Sequence, residues 1–394
     1  MESRNVKAVV KTEDGAVYVA SRPELENCAQ WKMAHSQQRK DYRYHEIVEE
    51  TILQGFDYRY FVLEDACGEI KAIQPFFLLR QDLVAGASER MQRPISALRR
   101  VFPRFLTMRT LMVGCAAGEG HLDSGPDGSW IARLLHSALV KYGRQVKHKM
   151  IVLKEFPHQY RKALEVFSSD GYTRVPSLPM TRLNIDYANF DEYMAKALSH
   201  ATRKDLRRKF KASKDHAIEM QVVDDITPYI DEVYPLYLQV YNRSSMHFEK
   251  LTPEYMKSLG TRMADKTRFF IWRQNGKAVA FSLCMVNADT IYDEYLGLDY
   301  SVALDLHLYF YTFRDIVSWA MEKGYKWYCS SALNYDPKLR FKCELVPLDL
   351  YVCHTSRLIN PILKRVLPLL EPTRGDETLA KFSNSHALWA DAAT

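Results

Sequence analysis

Apolar and polar positions follow the same order in two separate stretches of the chain. In "YRYFVLEDACGEIKAIQPFFLLRQDL", aromatic and branched residues flank a short polar break at Cys67 and Gly68. That pattern predicts two strands joined as a hairpin. The same order returns in "TRFFIWRQNGKAVAFSLCMVNADTIYDEYLGL", with turns at Asn275-Gly276 and at 287–289 separating three strands. Each stretch leads to a helix and a further strand: "SWIARLLHSALVKYG" then "KMIVLKEF", and "LHLYFYTFRDIVSWAMEKG" then "YKWYCSSA". In the later helix Phe310, Phe313, Ile316, Val317 and Ala320 recur at helical spacing, and Gly324 is placed to end it. The pattern predicts an α/β protein in which one plan is used twice. The units expected are 1–180 and 181–356, followed over 357–394 by an amphipathic segment and a polar tail.

Length agrees with that division, because 394 residues exceed one ordinary domain. A composition 47% hydrophobic and 26% charged supplies sizeable cores and excludes wholesale disorder. The net charge of +6 suits anionic partners without selecting one. No 18-residue apolar run occurs and "MESRNVKAVVKTEDG" has no signal-peptide core, so a cytoplasmic protein is expected. The seven cysteines are scattered, with no CxxC pair, which predicts reduced thiols and no metal site.

Three basic segments interrupt the plan. In "DEYMAKALSHATRKDLRRKFKASKD", Tyr193, Leu198, Ala201, Leu206 and Phe210 mark an apolar face, and seven Lys or Arg residues crowd 203–214. This reads as one basic amphipathic helix, either a solvated face or an anion-facing wall near the domain junction. "RMQRPISALRRVFPRFLTMR" and "SRLINPILKRVLPLL" suit a lipid interface, and equally core helices with basic outer faces. The stretch 371–394 is polar enough to be a loosely ordered tail.

Familiar catalytic signatures do not occur. There is no GxSxG, GxxxxGK[ST] or HExxH, and "GCAAGEG" reads as a turn. The order "LSHATRKDLRRKFK", hairpin, "TIYDEYLGLD", "HLYFYTFRDIVSWAMEKGYKWY" and "KLRFK" resembles the GNAT-like acyltransferases of the Fem peptidyltransferase and BioF2-like group. The resemblance covers about residues 190–352 and implies two tandem GNAT-type domains, each a mixed twisted sheet flanked by helices. Phe341 and Lys342 in "LRFKCELVP" are similar to an aromatic-lysine pair that follows the last core strand in Fem-type proteins. "LDLHLYFYTF" looks like the "LHFExCYY" segment of a related group of N-acyltransferases, with Tyr309 where that group has Glu, and Lys338-Leu339 match its "HKL". The Gly-containing pyrophosphate loop of GNAT proteins is replaced by "LDYSVALDLH", although the helix start around His307 still offers backbone N–H groups to an anion.

The implied reaction is attack of an amine on an activated acyl carbon. It needs a neutral amine, a stabilised oxyanion and a proton for the leaving group. His307, Asp293 and Glu294 are the candidate bases. Strand alternation puts Tyr292 and Glu294 on one face and Asp293 and Tyr295 on the other, so one carboxylate faces the cleft. Lys342 is the candidate cation, anchored by Phe341 beside it. Tyr292, Tyr309, Lys338, Phe341 and His247 are carried as substrate-binding candidates.

Two functions are expected from different donors. In the first, acyl-CoA is the co-substrate, no cofactor is tightly bound, and a long-chain acyl group passes to the amine of a sphingoid base, as in ceramide synthesis. That reading places the protein peripherally on the inner face of an anionic membrane. In the second, aminoacyl-tRNA is the donor and a cell-wall precursor the acceptor, as the Fem resemblance implies. A non-catalytic module for anionic lipid is the third alternative, since fold does not fix function. None of the three involves DNA.

Overall fold

The computed structural model describes residues 8–82, 94–95, 97–100, 102, 107–124, 128–214, 217–244, 248–369 and 371–390. The strands are β1 (Val10–Thr12), β2 (Gly15–Ala20), β3 (Phe56–Glu64), β4 (Ile70–Asp82), β5 (Thr107–Val113), β6 (Met150–Pro157) and β7 (Thr173–Asn184). They continue as β8 (Ile218–Val223), β9 (Thr267–Gln274), β10 (Lys277–Asn287), β11 (Thr290–Leu298), β12 (Trp327–Ser330) and β13 (Glu344–His354). The principal helices are α1 (Tyr42–Thr51), α2 (Ser129–Gln145), α3 (Phe190–Ala197), α4 (His200–Lys214), α5 (Ile230–Arg243), α6 (Pro253–Arg262), α7 (Leu308–Glu322), α8 (Tyr335–Arg340) and α9 (Asn360–Val366).

The thirteen strands among the described residues join one sheet, in the order β1-β2-β3-β4-β5-β6-β13-β7-β12-β11-β10-β9-β8. Read inward from either end the plan is the same: antiparallel strands, then a parallel pair bridged by a helix. The pair is β5 and β6 with α2 in the first half, and β11 and β12 with α7 in the second. A parallel pair needs such a crossover, because a tight turn cannot return the chain in the same direction. This is the doubled α/β plan that the sequence resemblance implied, with each half of the mixed sheet flanked by helices.

The halves exchange their final strands. β7, which ends the first half, pairs with β12 of the second, while β13 pairs with β6 of the first. β7 and β13 then pair with each other. Residue 180, where the sequence division falls, lies inside β7.

One hydrophobic cluster also spans both halves. Tyr44, Ile47 and Val48 of α1 pack with Val233 and Tyr237 of α5, Met256 and Leu259 of α6, and Met112 and Met150 of the first half's parallel pair. Charges reinforce this junction: Arg43 pairs with Asp265 at 2.9 Å and Arg262 with Glu46 at 2.8 Å. A second cluster lies under α3, α4 and α7, and a third under α2.

Several expectations are corrected locally. The basic segment is two helices, broken at Leu198 and Ser199, because Ser199 caps the second through its hydroxyl to the Thr202 N–H at 3.2 Å. Arg203 donates back to the carbonyl of Leu198 at 2.6 Å and satisfies the end of the first. The residues just before Phe341 and Lys342 form the short helix α8, 335–340, and Lys342 takes the left-handed conformation, φ 63°, that ends it.

The stretch from 371 is ordered rather than loose through residue 390. Leu379, Phe382 and Leu388 are buried in the core, and the Asn384 amide pairs with both backbone groups of Leu345 at 3.0 and 2.9 Å. Three apolar anchors and one strand-mimicking amide outweigh the polar composition. Most of "RMQRPISALRRVFPRFLTMR" lies outside the described residues.

Candidate active site

β11 carries both candidate carboxylates. Its register with β10 slips where Leu283 faces Tyr295 and Cys284 faces Asp293, leaving Glu294 without a partner. A bulge of this kind adds one residue to a strand, turns the following side chain over and leaves backbone groups unpaired. On the other side the β11–β12 ladder ends at Asp293 and Ser330. Beyond that point the two strands part, at the place where Glu294 is out of register.

Alternation along β11 keeps the two carboxylates on opposite faces. The bulge places Tyr295 with Glu294 rather than with Asp293, against simple alternation: the Tyr295 hydroxyl donates to Glu249 at 2.8 Å, beside Tyr237. Asp293 accepts from Tyr328 at 2.7 Å and from Ser282. Burial raises its pKa above the usual carboxylate range, against the two hydrogen bonds and the nearby Lys338, which pull it down.

Lys338 approaches the same spot from α8. It is 6% exposed, donates to the carbonyl of Ser331, and burial lowers its pKa to about 8, against Cys343 and Asp293, which favour its charge. Tyr309 of α7, half-buried, lies close enough for Asp293 to help raise its pKa, after burial itself. Phe341 supports the cluster from below, stacking on Phe313 at 3.8 Å, and Phe313 packs edge-on against Tyr328.

Glu294 meets a different environment. Arg39 pairs with Glu294 at 2.6 Å and with Glu119 at 2.5 Å, and Lys40 with Glu119 at 2.9 Å and Glu294 at 3.3 Å. Each cation therefore bridges both carboxylates in a closed ring. All four side chains are at most 9% exposed. The Arg39 guanidinium also lies 3.9 Å from the ring centre of Tyr292. Burial opposes the charge of Glu119, yet Arg39 and Lys40 hold its pKa well below the usual range. His121 adds a contact to Glu119 at 3.0 Å.

The remaining candidates are dispersed. His307 caps α7 in the left-handed conformation, and burial followed by Lys209 and Arg208 lowers its pKa. The first amide of that helix, Leu308, is already spent on the carbonyl of Ala303 at 3.0 Å. Lys342 is exposed, and His247 lies outside the described residues. The structure thus brings together Asp293, Tyr309 and Lys338, with Phe341 beneath; it sets Glu294 and Tyr292 on the opposite face. Among the described residues, no three His, Cys, Asp or Glu side chains converge as a metal site requires.

Arg39, Lys40 and Glu119 escaped the sequence reading. They come from loops of the first half, and 255 positions separate Arg39 from Glu294. No local spacing signals such a pair. A groove of about 470 Å³ between α3, α4 and α7, lined by Phe190, Arg207, Phe210 and Arg314 among others, contains none of the candidate residues.

Comparison with known proteins assigns the class. Residues 123–333 match the FemAB-like family, described as peptidoglycan biosynthesis/recognition. The match takes in more than half of the sequence, β11 included, and the chain belongs to this family. FemX is similar to it in structure, with a TM-score of 0.53 and 10% identity over 88% of this chain and 98% of FemX, which shows the shared fold. A weaker structural likeness, TM-score 0.48 and 14% identity over 83% of this chain and 95% of the other, is to L-PGS from Bacillus licheniformis.

By sequence the chain is 21% identical over 271 residues to a Mycobacterium tuberculosis protein provisionally named 8-amino-7-oxononanoate synthase 2, found in two strains. The alignment takes in 66% of this chain. It spans about a third, 34%, of the length of those curated relatives.

Proposed function

We propose that the protein transfers an aminoacyl group from an activated ester to an amine of a peptidoglycan precursor, forming an amide. The observation that carries this reading is that Asp293 and Lys338 lie near enough for each to act on the other's charge, beside the point where β11 and β12 part. The desolvated carboxylate is a stronger proton acceptor than an exposed one, and the desolvated lysine a readier proton donor. Family membership supports the choice of acceptor. A sphingoid base with acyl-CoA draws no support from these likenesses, and the aminoacyl alternative is preferred for that reason.

In the proposed reaction the amine nitrogen attacks the ester carbonyl and passes a proton to Asp293. The carbonyl oxygen becomes an oxyanion near the unpaired backbone at the bulge and the Lys338 ammonium. As the C–O bond breaks, Lys338 returns a proton to the departing oxygen. Ser282 and Tyr328 hold the carboxylate, and Tyr309 lines the approach. Lys338 here takes the role that the sequence suggested for Lys342.

The test offers the purified protein radiolabelled aminoacyl-tRNAs together with a precursor peptide bearing a free side-chain amine. Label should move to the peptide. If label stays on tRNA while long-chain acyl-CoA and a sphingoid base release free thiol, the acyl-thioester reading replaces this one.

A further inference from the structure

The segment around α9 is apolar on both sides. Leu363 and Leu367 turn inward onto the cluster shared by the two halves. Leu358, Ile359, Ile362, Val366 and Leu369 point outward and are 85, 46, 62, 39 and 75% exposed. The last four recur at steps of three and four residues and form one stripe. Contiguous apolar surface of this kind marks a contact with another molecule or a membrane.

Cations accompany the segment: Arg365 flanks the stripe and Arg357 precedes it, while Lys364, two residues from both Ile362 and Val366, lies on the other side of α9. Arg357, Lys364 and Arg365 are exposed and have no ion pair among the described residues. Arg357 leaves the sheet beside a further basic group. Arg144 donates to the carbonyl of Thr355 at 2.8 Å, the Thr355 N–H donates to the carbonyl of Lys149, and the Lys149 N–H to that of Arg109. Arg109 stands opposite Arg80 in the β4–β5 ladder. All four of these basic side chains are exposed. The β4–β5 connection springs from the same end of the sheet and carries Phe102, 61% exposed.

We propose that this end of the molecule docks on an anionic lipid bilayer, with the α9 stripe among the acyl chains and the cations at the headgroups. The inference is independent of the transfer reaction. Nucleic acid would match the charges but not the stripe, since bases stack on aromatic rings and the stripe is Leu, Ile and Val.

Sedimentation with vesicles tests the docking. The protein should pellet with vesicles of phosphatidylcholine and phosphatidylglycerol in equal parts, remain in solution with phosphatidylcholine alone, and be released as salt rises. Ile362→Asp with Leu369→Asp should abolish binding. Arg357→Gln and Arg365→Gln should each weaken it by about fivefold. These side chains are exposed, so an unchanged Tm shows that the fold is intact. No pelleting with the anionic vesicles, or the same pelleting by the double Asp variant, overturns the proposal. So does binding of uncharged tRNA in place of vesicles, lost in the Gln variants.

Discussion

Asp293→Asn keeps the shape of the proposed proton acceptor and removes its charge. Turnover should fall by roughly 10²–10⁴-fold, the range for loss of a positioned acid or base. Lys338→Met should cost a comparable factor, whereas Lys342→Ala on the exposed turn should cost little. The rate should rise with pH as Asp293 ionises above the ordinary carboxylate range, then decline above about 8 as Lys338 loses its proton. A kcat profile with a single acid limb, or one unaltered by Lys338→Met, would remove the lysine from the mechanism. On the opposite face, Arg39→Ala leaves two buried carboxylates to one lysine. Breaking a buried ionic network typically costs about 3–5 kcal/mol, to be read from urea unfolding. The depressed pKa of Glu119 makes its contribution complete above the unfolded value near 4.5 and lost as pH falls through the folded one.

Elements whose signals are local were legible in the sequence. The β9–β10 turn at Asn275-Gly276 has φ of 51° and 79°, the pair of positive angles for which Asn-Gly is suited. The hairpin at Cys67-Gly68 and the helices α2 and α7 follow their patterns equally closely. β5 was hidden, because Arg109 near its start makes a strand with a buried end read as the close of a basic segment. α8 was hidden too: its start is an Asn334 cap with Pro337 inside the first turn, and six residues are too few to show a helical period. The carboxylates of "TIYDEYLGL" were legible as opposed, but the bulge that turns Tyr295 was not, since it depends on register with β10. One glycine there has a steric task. A Cβ on Gly297 would come within 2.4 Å of Phe281 and 2.7 Å of the Tyr237 backbone nitrogen, where α5 crosses β11. Gly297→Val should therefore destabilise by about 1–3 kcal/mol, and a thermal melt indistinguishable from the parent would refute this close approach.

For the whole molecule, duplication was legible and the exchange of strands was not. Strand partners more than a hundred residues apart leave no periodic trace, and β7 and β13 each read as the end of their own half. The exchange predicts one cooperative unit. Intrinsic tryptophan fluorescence and far-ultraviolet circular dichroism should report coincident urea transitions. Residues 1–187 and 188–394, produced separately, should each fail to give a cooperative transition and should regain one when refolded together. Two separate transitions in the intact chain would mean that the halves fold alone.

Traded strands also bear on ancestry. A duplicated unit that keeps its own last strand can later be discarded, and its twin survives. Here removal of either copy strips the survivor of a neighbour in mid-sheet and bares a row of amides and carbonyls where aggregation begins. Once the swap was made, shrinking back to a single repeat required two simultaneous repairs, so the doubled form is retained even if only one copy performs chemistry.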